Sequence, residues 1–390
     1  MRKKKLTGIL MSVLMTAGVM AGCSSESTGG GGDSKTIKIG ANLELSGGVA
    51  SYGQSIEEGI QLALDEINKK GIDGKKIELV KVDNKSEAAE ATNGTIKLIS
   101  QDKVAAVIGA ATSTNTLAQV QIAQDNKVPL ITPTGTNPTI TMKDGKLNDY
   151  IFRTCFIDPF QGTVAANFAS KDLNVKNAAV LIDSSSDYAK GLAAAFKESF
   201  ESNGGKIVSE EAYVAKDTDF NAILTNIKSA NPEFIFLPGY YEEVGLIIKQ
   251  ARALGITVPF MGGDGWDSPK LVEIAGADSL NNTFITNHYS SGDSDAKVQD
   301  FVKAFGEKYK GKAPDAFNAL GYDSVYFLAD AIDRADSADS KEIQKALAET
   351  EGLSLVSGQL KLDENHDPVK SAVILEYKGG KQEFNTKVNP

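Results

Sequence analysis

Short apolar runs alternate with longer amphipathic ones along most of this chain, and that alternation leaves few folds open to it. Ile37-Lys38-Ile39-Gly40-Ala41 reads as a strand. Beyond Ser46-Gly47-Gly48, the stretch from Tyr52 to Lys70 carries Ile56, Ile60, Ala63, Leu64 and Ile67 at the three- and four-residue spacing of a helix with one buried face. Lys76–Val82, Ala105–Gly109 and Val128–Thr132 follow as strands, with helices predicted over Ser86–Gln101 and Thr114–Asn126. The rhythm restarts with strands at Ala178–Ile182, Lys206–Tyr213, Phe234–Leu237 and Val258–Met261, and helices at Tyr188–Asn203, Phe220–Ser229 and Glu242–Leu254. Such a pattern implies βαβ units, hence parallel sheets covered by helices on both faces. The two halves share the arrangement without obvious identity, which suggests two similar lobes. Thr283–Asn287 is a further strand, helices are predicted near Ala296–Tyr309, Ala316–Arg334 and Lys341–Glu349, and Gly358–Leu362 with Ala372–Tyr377 read as a closing pair of strands. The last helices then join the first lobe and the last strands the second, with crossings near Phe152–Ile157, Thr286–Tyr289 and Val356–Gln359.

The N-terminus has the layout of a secretory leader. Arg2, Lys3, Lys4 and Lys5 precede an apolar run from Leu6 to Met20, and Met20-Ala21-Gly22-Cys23 closes the segment. The run is shorter than the roughly twenty residues of a membrane span. Cysteine after small residues resembles a lipobox, with residues 1–22 as signal peptide and Cys23 as the acylated first residue. A transmembrane anchor retaining Cys23 is the alternative, and either reading faces the working domain outward. Ser24–Ser34 is a polar Gly/Ser leash, so 23–34 is expected to be a tether reaching roughly 18 Å.

Charge and composition exclude several classes. Losing the four leader cations takes the net charge from −10 to −14, which is no nucleic-acid footprint. Cys155 has no partner once Cys23 carries lipid, so no disulfide is expected. His288 and His366 lack metal-ligand spacing, and no GxSxG, GxxxxGK[ST] or CxxC pattern occurs. No metal or cofactor is expected.

In doubly wound sheets ligands bind beyond the carboxyl ends of strands. Gly109–Asn115 (GAATSTN) and Thr132–Pro138 (TPTGTNP) follow such ends, rich in hydroxyls and opening a helix. Together they can offer hydroxyls, backbone N–H groups and a helix N-terminus to a small carboxylate. Taken singly, each is as readily a cap by Ser113 or Thr114, or a Pro/Gly turn. In the second half, Asp264 lies between glycines in Gly262-Gly263-Asp264-Gly265-Trp266, free to meet an ammonium or to make an Asx-turn. Tyr188 and Tyr240 either close over a ligand or pack at a lobe edge.

The segments VASYGQSIEEGIQLALDEINKKGIDGKKIELVKVDNKSE, VIGAATSTNT, PLITPTGTNP, DYAKG, PGYYEEVGLIIKQARALGI and FMGGDGWDSP, in this order, resemble the leucine/isoleucine/valine-binding proteins of bacterial ABC importers over about Lys35 to Lys378. The resemblance implies a type I periplasmic-binding fold: α/β, with two Rossmann-like lobes joined by three hinge strands. Residues 35–154 and 288–357 would form one lobe, 155–287 and 358–390 the other. Carried over position by position, Ser113 and Thr136 match the residues that bind the ligand carboxylate. Thr134 offers a backbone carbonyl to the ammonium, Tyr240 and Asp264 hold that ammonium, and Tyr188 closes on the ligand. Tyr52, Ala111 and Thr112 match the side-chain pocket. The acid, commonly Glu, is here Asp264, one methylene shorter, and Thr112 stands where some relatives have a disulfide cysteine. Trp266 is open to two readings, cleft lining or hydrophobic plug.

The resemblance therefore implies a lipid-anchored, monomeric receptor on the extracytoplasmic face of the cell membrane. Its partners would be a free branched-chain amino acid and the permease subunits of an ABC importer. The same fold retuned for an amide, a urea-like compound or an aromatic acid is the nearest alternative, and a sensory module a more distant one. An enzyme is disfavoured, because the cleft candidates supply one acid and several hydroxyls but no nucleophile–base pair.

Overall fold

The computed structural model describes residues 35–390; the leader, Cys23 and the tether lie outside the described residues. Strand β1 (Thr36–Leu43) leads into α1 (Ala50–Ile67), β2 (Lys76–Asp83), α2 (Ala88–Ser100), β3 (Ala106–Gly109), α3 (Ser113–Asn126) and β4 (Leu130–Thr132). A small hairpin, β5 (Met142–Lys143) and β6 (Lys146–Leu147), precedes β7 (Ile151–Arg153). Strands β2, β1, β3, β4 and β7 lie side by side in that order, all parallel.

The chain then crosses to a second sheet after β7 and enters α4 (Asp158–Asn167), a helix that the sequence pattern does not predict. Its start was marked all the same: Asp158 and Pro159 fill the first turn, where an acid and a proline both suit a helix. Next come β8 (Asn177–Asp183), α5 (Asp187–Ser202), β9 (Lys206–Tyr213), α6 (Asn221–Ser229), β10 (Phe234–Phe236), α7 (Tyr241–Ala253), β11 (Phe260–Gly262), α8 (Pro269–Ala275) and β12 (Thr283–Asn287). The order β9-β8-β10-β11-β12 repeats that of the first sheet and is also parallel. Helices α9 (Ala296–Lys308), α10 (Ala316–Ala335) and α11 (Ser340–Ala348) follow.

The C-terminal strands depart from expectation. Residues 358–360 do not pair with 372–377. Instead β13 (Leu353–Leu355) and β14 (Gly358–Leu360) form their own hairpin. Strand β15 (Ala372–Lys378) runs antiparallel to β12, and β16 (Lys381–Val388) antiparallel to β15. Local sequence shows that each segment is extended, but not which extended segment it meets.

Two features of this frame place the site. In each parallel set the strand order reverses between the first and third strands, β1/β3 and β8/β10, and crevices open at such switch points. Helix α10 also packs along α1 so closely that a Cβ on Gly59 would lie 2.0 Å from the Asn318 carbonyl oxygen. That approach brings the first turn of α10 against the Tyr52 end of α1.

Candidate functional site

The loops beyond β1, β3 and β4 face those beyond β8, β10 and β11 across one narrow, nearly filled cavity. Its walls are Tyr52, Ala111, Ser113, Thr134, Tyr188, Tyr240, Asp264, Gly265 and Phe317. Seven of the ten residues singled out in the sequence therefore converge. The other three stand elsewhere. Thr112 is the N-cap of α3, its hydroxyl turned to Glu44 at 3.0 Å, and it lines an outer groove. Thr136 is fully buried, its carbonyl accepting from the Asp158 amide at 3.0 Å. Trp266 is fully buried and donates from Nε1 to the Leu237 carbonyl at 3.0 Å, so of the two readings it takes the plug.

The first pole of the cavity is the start of α3. The expectation of open backbone amides is met only in part, because Glu44 reaches the loop from the end of β1. Its Oε2 accepts from the Ala111 amide at 2.9 Å, while Oε1 accepts from the Thr112 amide at 3.1 Å and Asn115 Nδ2 at 2.9 Å. An internal carboxylate thus holds part of the ground that a helix N-terminus gives to anions. What remains is Ser113. Its amide donates to no group among the described residues, and its hydroxyl accepts from the Asn137 amide at 3.2 Å, leaving its own proton to give.

The second pole is Asp264, buried at 4% exposure. The Tyr188 hydroxyl donates to Oδ1 at 2.9 Å and Gln161 Nε2 does so at 3.1 Å, while His288 Nε2 lies 3.0 Å from Oδ2. An ionised carboxylate has about four lone-pair sites, so one stays available after these three. Burial, reinforced by the Asp264 charge, pushes the Tyr188 phenol well above its ordinary value, so it stays a neutral donor. Gly263 makes this crowding possible: a Cβ there would sit 2.4 Å from the Tyr188 hydroxyl and 2.6 Å from Gln161 Oε1. Asp158, bonded to Gln161 Nε2 at 3.2 Å, has its carboxyl pushed up to about 7, mainly by burial.

Between the poles the wall is aromatic. Tyr52 stacks on Phe317 with centroids 4.3 Å apart, and Tyr240 stacks on Tyr188 at 5.3 Å. The Tyr240 hydroxyl is buried without a well-formed hydrogen bond. Bonds across the cleft hold the two sides together. The Tyr52 hydroxyl donates to the Gly265 carbonyl, Asn137 Nδ2 to the Asp187 carbonyl at 3.0 Å, and the Tyr241 hydroxyl to the Gly48 carbonyl at 3.1 Å. Among the described residues no cluster of His, Cys, Asp or Glu could hold a metal ion.

Sequence reasoning missed Glu44, Gln161, His288 and Phe317. Only Gln161 had a local sign, the helix start at Asp158-Pro159. The others come from distant segments and meet the site only in the fold.

Two doubly wound lobes closing over a cavity with a donor pole, an acid pole and an aromatic wall define a solute-binding receptor. The chain belongs to the periplasmic binding protein family, whose model matches residues 36–382, and that membership places it outside the cytoplasm. It is similar to the leucine-, isoleucine-, valine-, threonine- and alanine-binding protein of Pseudomonas aeruginosa, 32% identical over 97% of this chain and 98% of that protein. Among solved structures it resembles the leucine-binding protein LivK of Thermotoga maritima at 40% identity and TM-score 0.86, covering 91% of this chain and 99% of that one. It also resembles the branched-chain amino acid transporter substrate-binding protein LivJ of Streptococcus pneumoniae, solved with isoleucine, at 43% identity and TM-score 0.86, covering 91% and 100%.

Proposed function

We propose that this chain captures a free branched-chain amino acid, Leu, Ile or Val, between its lobes and delivers it to the permease of an ABC importer without breaking a bond. The observation that carries this reading is the cavity in which Ser113 offers its amide and hydroxyl at one pole, Asp264 forms an acid pole, and Tyr52, Phe317 and Ala111 supply the wall. The ligand carboxylate is assigned to Ser113. The ammonium is assigned to Asp264, the Thr134 carbonyl and Tyr240, and the aliphatic side chain to Tyr52, Phe317 and Ala111. Thr112, Thr136 and Trp266 support these groups from behind. No Lys or Arg is among the lining residues, so a charged ligand side chain would be buried without a counter-charge at a large desolvation cost. The relatives named for leucine, isoleucine and valine point the same way.

In this reading residues 35–154 with 288–357 and 155–287 with 358–390 are the lobes, and the receptor works as a monomer tethered through an acylated Cys23. Two fatty chains on one residue suffice for stable anchoring where a single chain is marginal. One preparation tests both parts. Cys23→Ser should leave the membrane fraction and still bind leucine by calorimetry as the membrane-extracted chain does, with alanine weaker than valine by one to two orders of magnitude. Displacement of leucine by glutamate, lysine or arginine would refute the pocket assignment; retention of Cys23→Ser in the membrane would refute the anchor.

A further inference from the structure

We propose that His288 is a positioning residue of the amino-acid site: it donates from Nε2 to Asp264 and holds that carboxylate aimed at the ligand ammonium. The inference rests on the reading of Asp264 as the ammonium's acid. A shorter acid than glutamate must be held more firmly to serve a ligand at the same place, and Asp264 is held from both oxygens. Tyr188 and Gln161 fix Oδ1 at 2.9 and 3.1 Å, and among the described residues His288 alone fixes Oδ2, at 3.0 Å.

The chemistry of the pair sets the proton. A carboxylate only accepts, so the neutral ring carries its hydrogen on Nε2. Nδ1, buried and with no partner, is then an acceptor rather than a stranded donor. Burial lowers the basicity of the ring, while Asp264 opposes that shift and the nearby Lys370 adds to it. A neutral donor matters here: an imidazolium would cancel the charge meant for the ligand ammonium, whereas a neutral N–H orients the carboxylate and leaves its charge in place.

The ring is itself held firmly. It stacks on Phe156 with centroids 3.6 Å apart and planes 26° apart, and the His288 amide donates to Asn287 Oδ1 at 2.8 Å. Phe156 lies where the chain leaves the first sheet, and His288 directly follows β12, where it leaves the second. The acid pole is thus braced by both crossings.

The test compares two variants by calorimetry with L-leucine and with 4-methylpentanoate, the same skeleton without the amino group. His288→Gln keeps an amide N–H at the reach of Nε2, whereas His288→Asn places its amide near Nδ1, short of Asp264, and both lose the stacking on Phe156. The asparagine variant should weaken leucine about ten- to a hundredfold while moving 4-methylpentanoate less than about threefold, and the glutamine variant should hold leucine within about fivefold of wild type. Equal losses for both variants, or equal losses for both ligands, would overturn the positioning role. On the unaltered chain, imidazole 15N shifts of His288, separable because His366 is the other histidine, should report a neutral ring protonated at Nε2. Protonation at Nδ1 would overturn the inference whether or not the variants fold. A wild-type chain that does not bind leucine would instead bring down the amino-acid reading itself.

Discussion

Glu44 has no exposed surface, yet its carboxylate meets four donors: the Ala111 and Thr112 amides, the Thr112 hydroxyl and Asn115 Nδ2. The charge is tolerated because it caps the start of α3 and receives charge-assisted hydrogen bonds in place of water. Glu44→Gln can preserve the three bonds at Oε1, but its amide then turns an N–H toward the Ala111 N–H. One buried donor is left facing another, so unfolding free energy should fall by about 1–3 kcal/mol in urea titration. An unchanged midpoint would mean that the loop rearranges around glutamine at no cost. At this scale the sequence was readable where chemistry is local. Ser113, Thr134 and Asp264 sit beside glycines, prolines or a helix start at strand ends, and all three reach the cavity. Glu44 was not readable, because its partners stand 67 to 71 positions away and a lone acid after a strand has no pattern of its own. Phe317 was hidden similarly: inside an amphipathic helix, a residue that lines a cavity looks like one that fills a core.

At the scale of elements, the contact between α1 and α10 shapes the side-chain wall. Gly59 lets the backbones touch, and an added methyl would meet the Asn318 carbonyl at 2.0 Å, backbone against backbone, where no side chain can yield. Gly59→Ala should therefore push α10 outward, costing about 2–3 kcal/mol of stability and loosening Phe317 from Tyr52. Urea unfolding and leucine calorimetry should both register it; a variant as stable as wild type would show that the helices can slide apart freely. The strands and helices found in advance are those with strong periodicity or buried apolar runs, such as β3, whose four residues are all buried. The missed ones lack that mark. Helix α8 is only seven residues long, and β16 (KQEFNTKV) is largely exposed, with no apolar alternation to betray it. The pairing of β13 with β14 was beyond reach for another reason: two extended segments flanking Val356-Ser357 can fold on each other or on a neighbour, and Asp323 decides it. Its carboxylate accepts from the Val356 and Ser357 amides at 2.8 and 2.9 Å and fixes the turn.

For the whole molecule, stability and the charge state of the site are tied together through Asp158. Its carboxyl is pushed up to about 7 in the folded chain, chiefly by burial and then by the Asp264 charge, against about 3.9 when unfolded. Between those values the folded chain holds a proton that the unfolded chain has released. This contribution to stability is therefore complete below about pH 4 and is lost as pH rises through 7. The buried imidazoles of His288 and His366, both made less basic by burial, act in the opposite sense below their ordinary value of about 6.5, within the same range. Wild-type stability alone thus mixes the two effects, and the informative quantity is the difference between wild type and Asp158→Asn. That substitution keeps the shape and removes one titration, so the variant should gain on wild type by about 2 kcal/mol between pH 5 and 7, measured by urea unfolding at each pH. A difference that stays flat would mean that Asp158 is ionised throughout. The consequence reaches binding as well. While Asp158 keeps its proton, the acid pole carries the single charge of Asp264, which one ligand ammonium balances. Above about pH 7 a second charge appears next to Gln161, beneath the same pole.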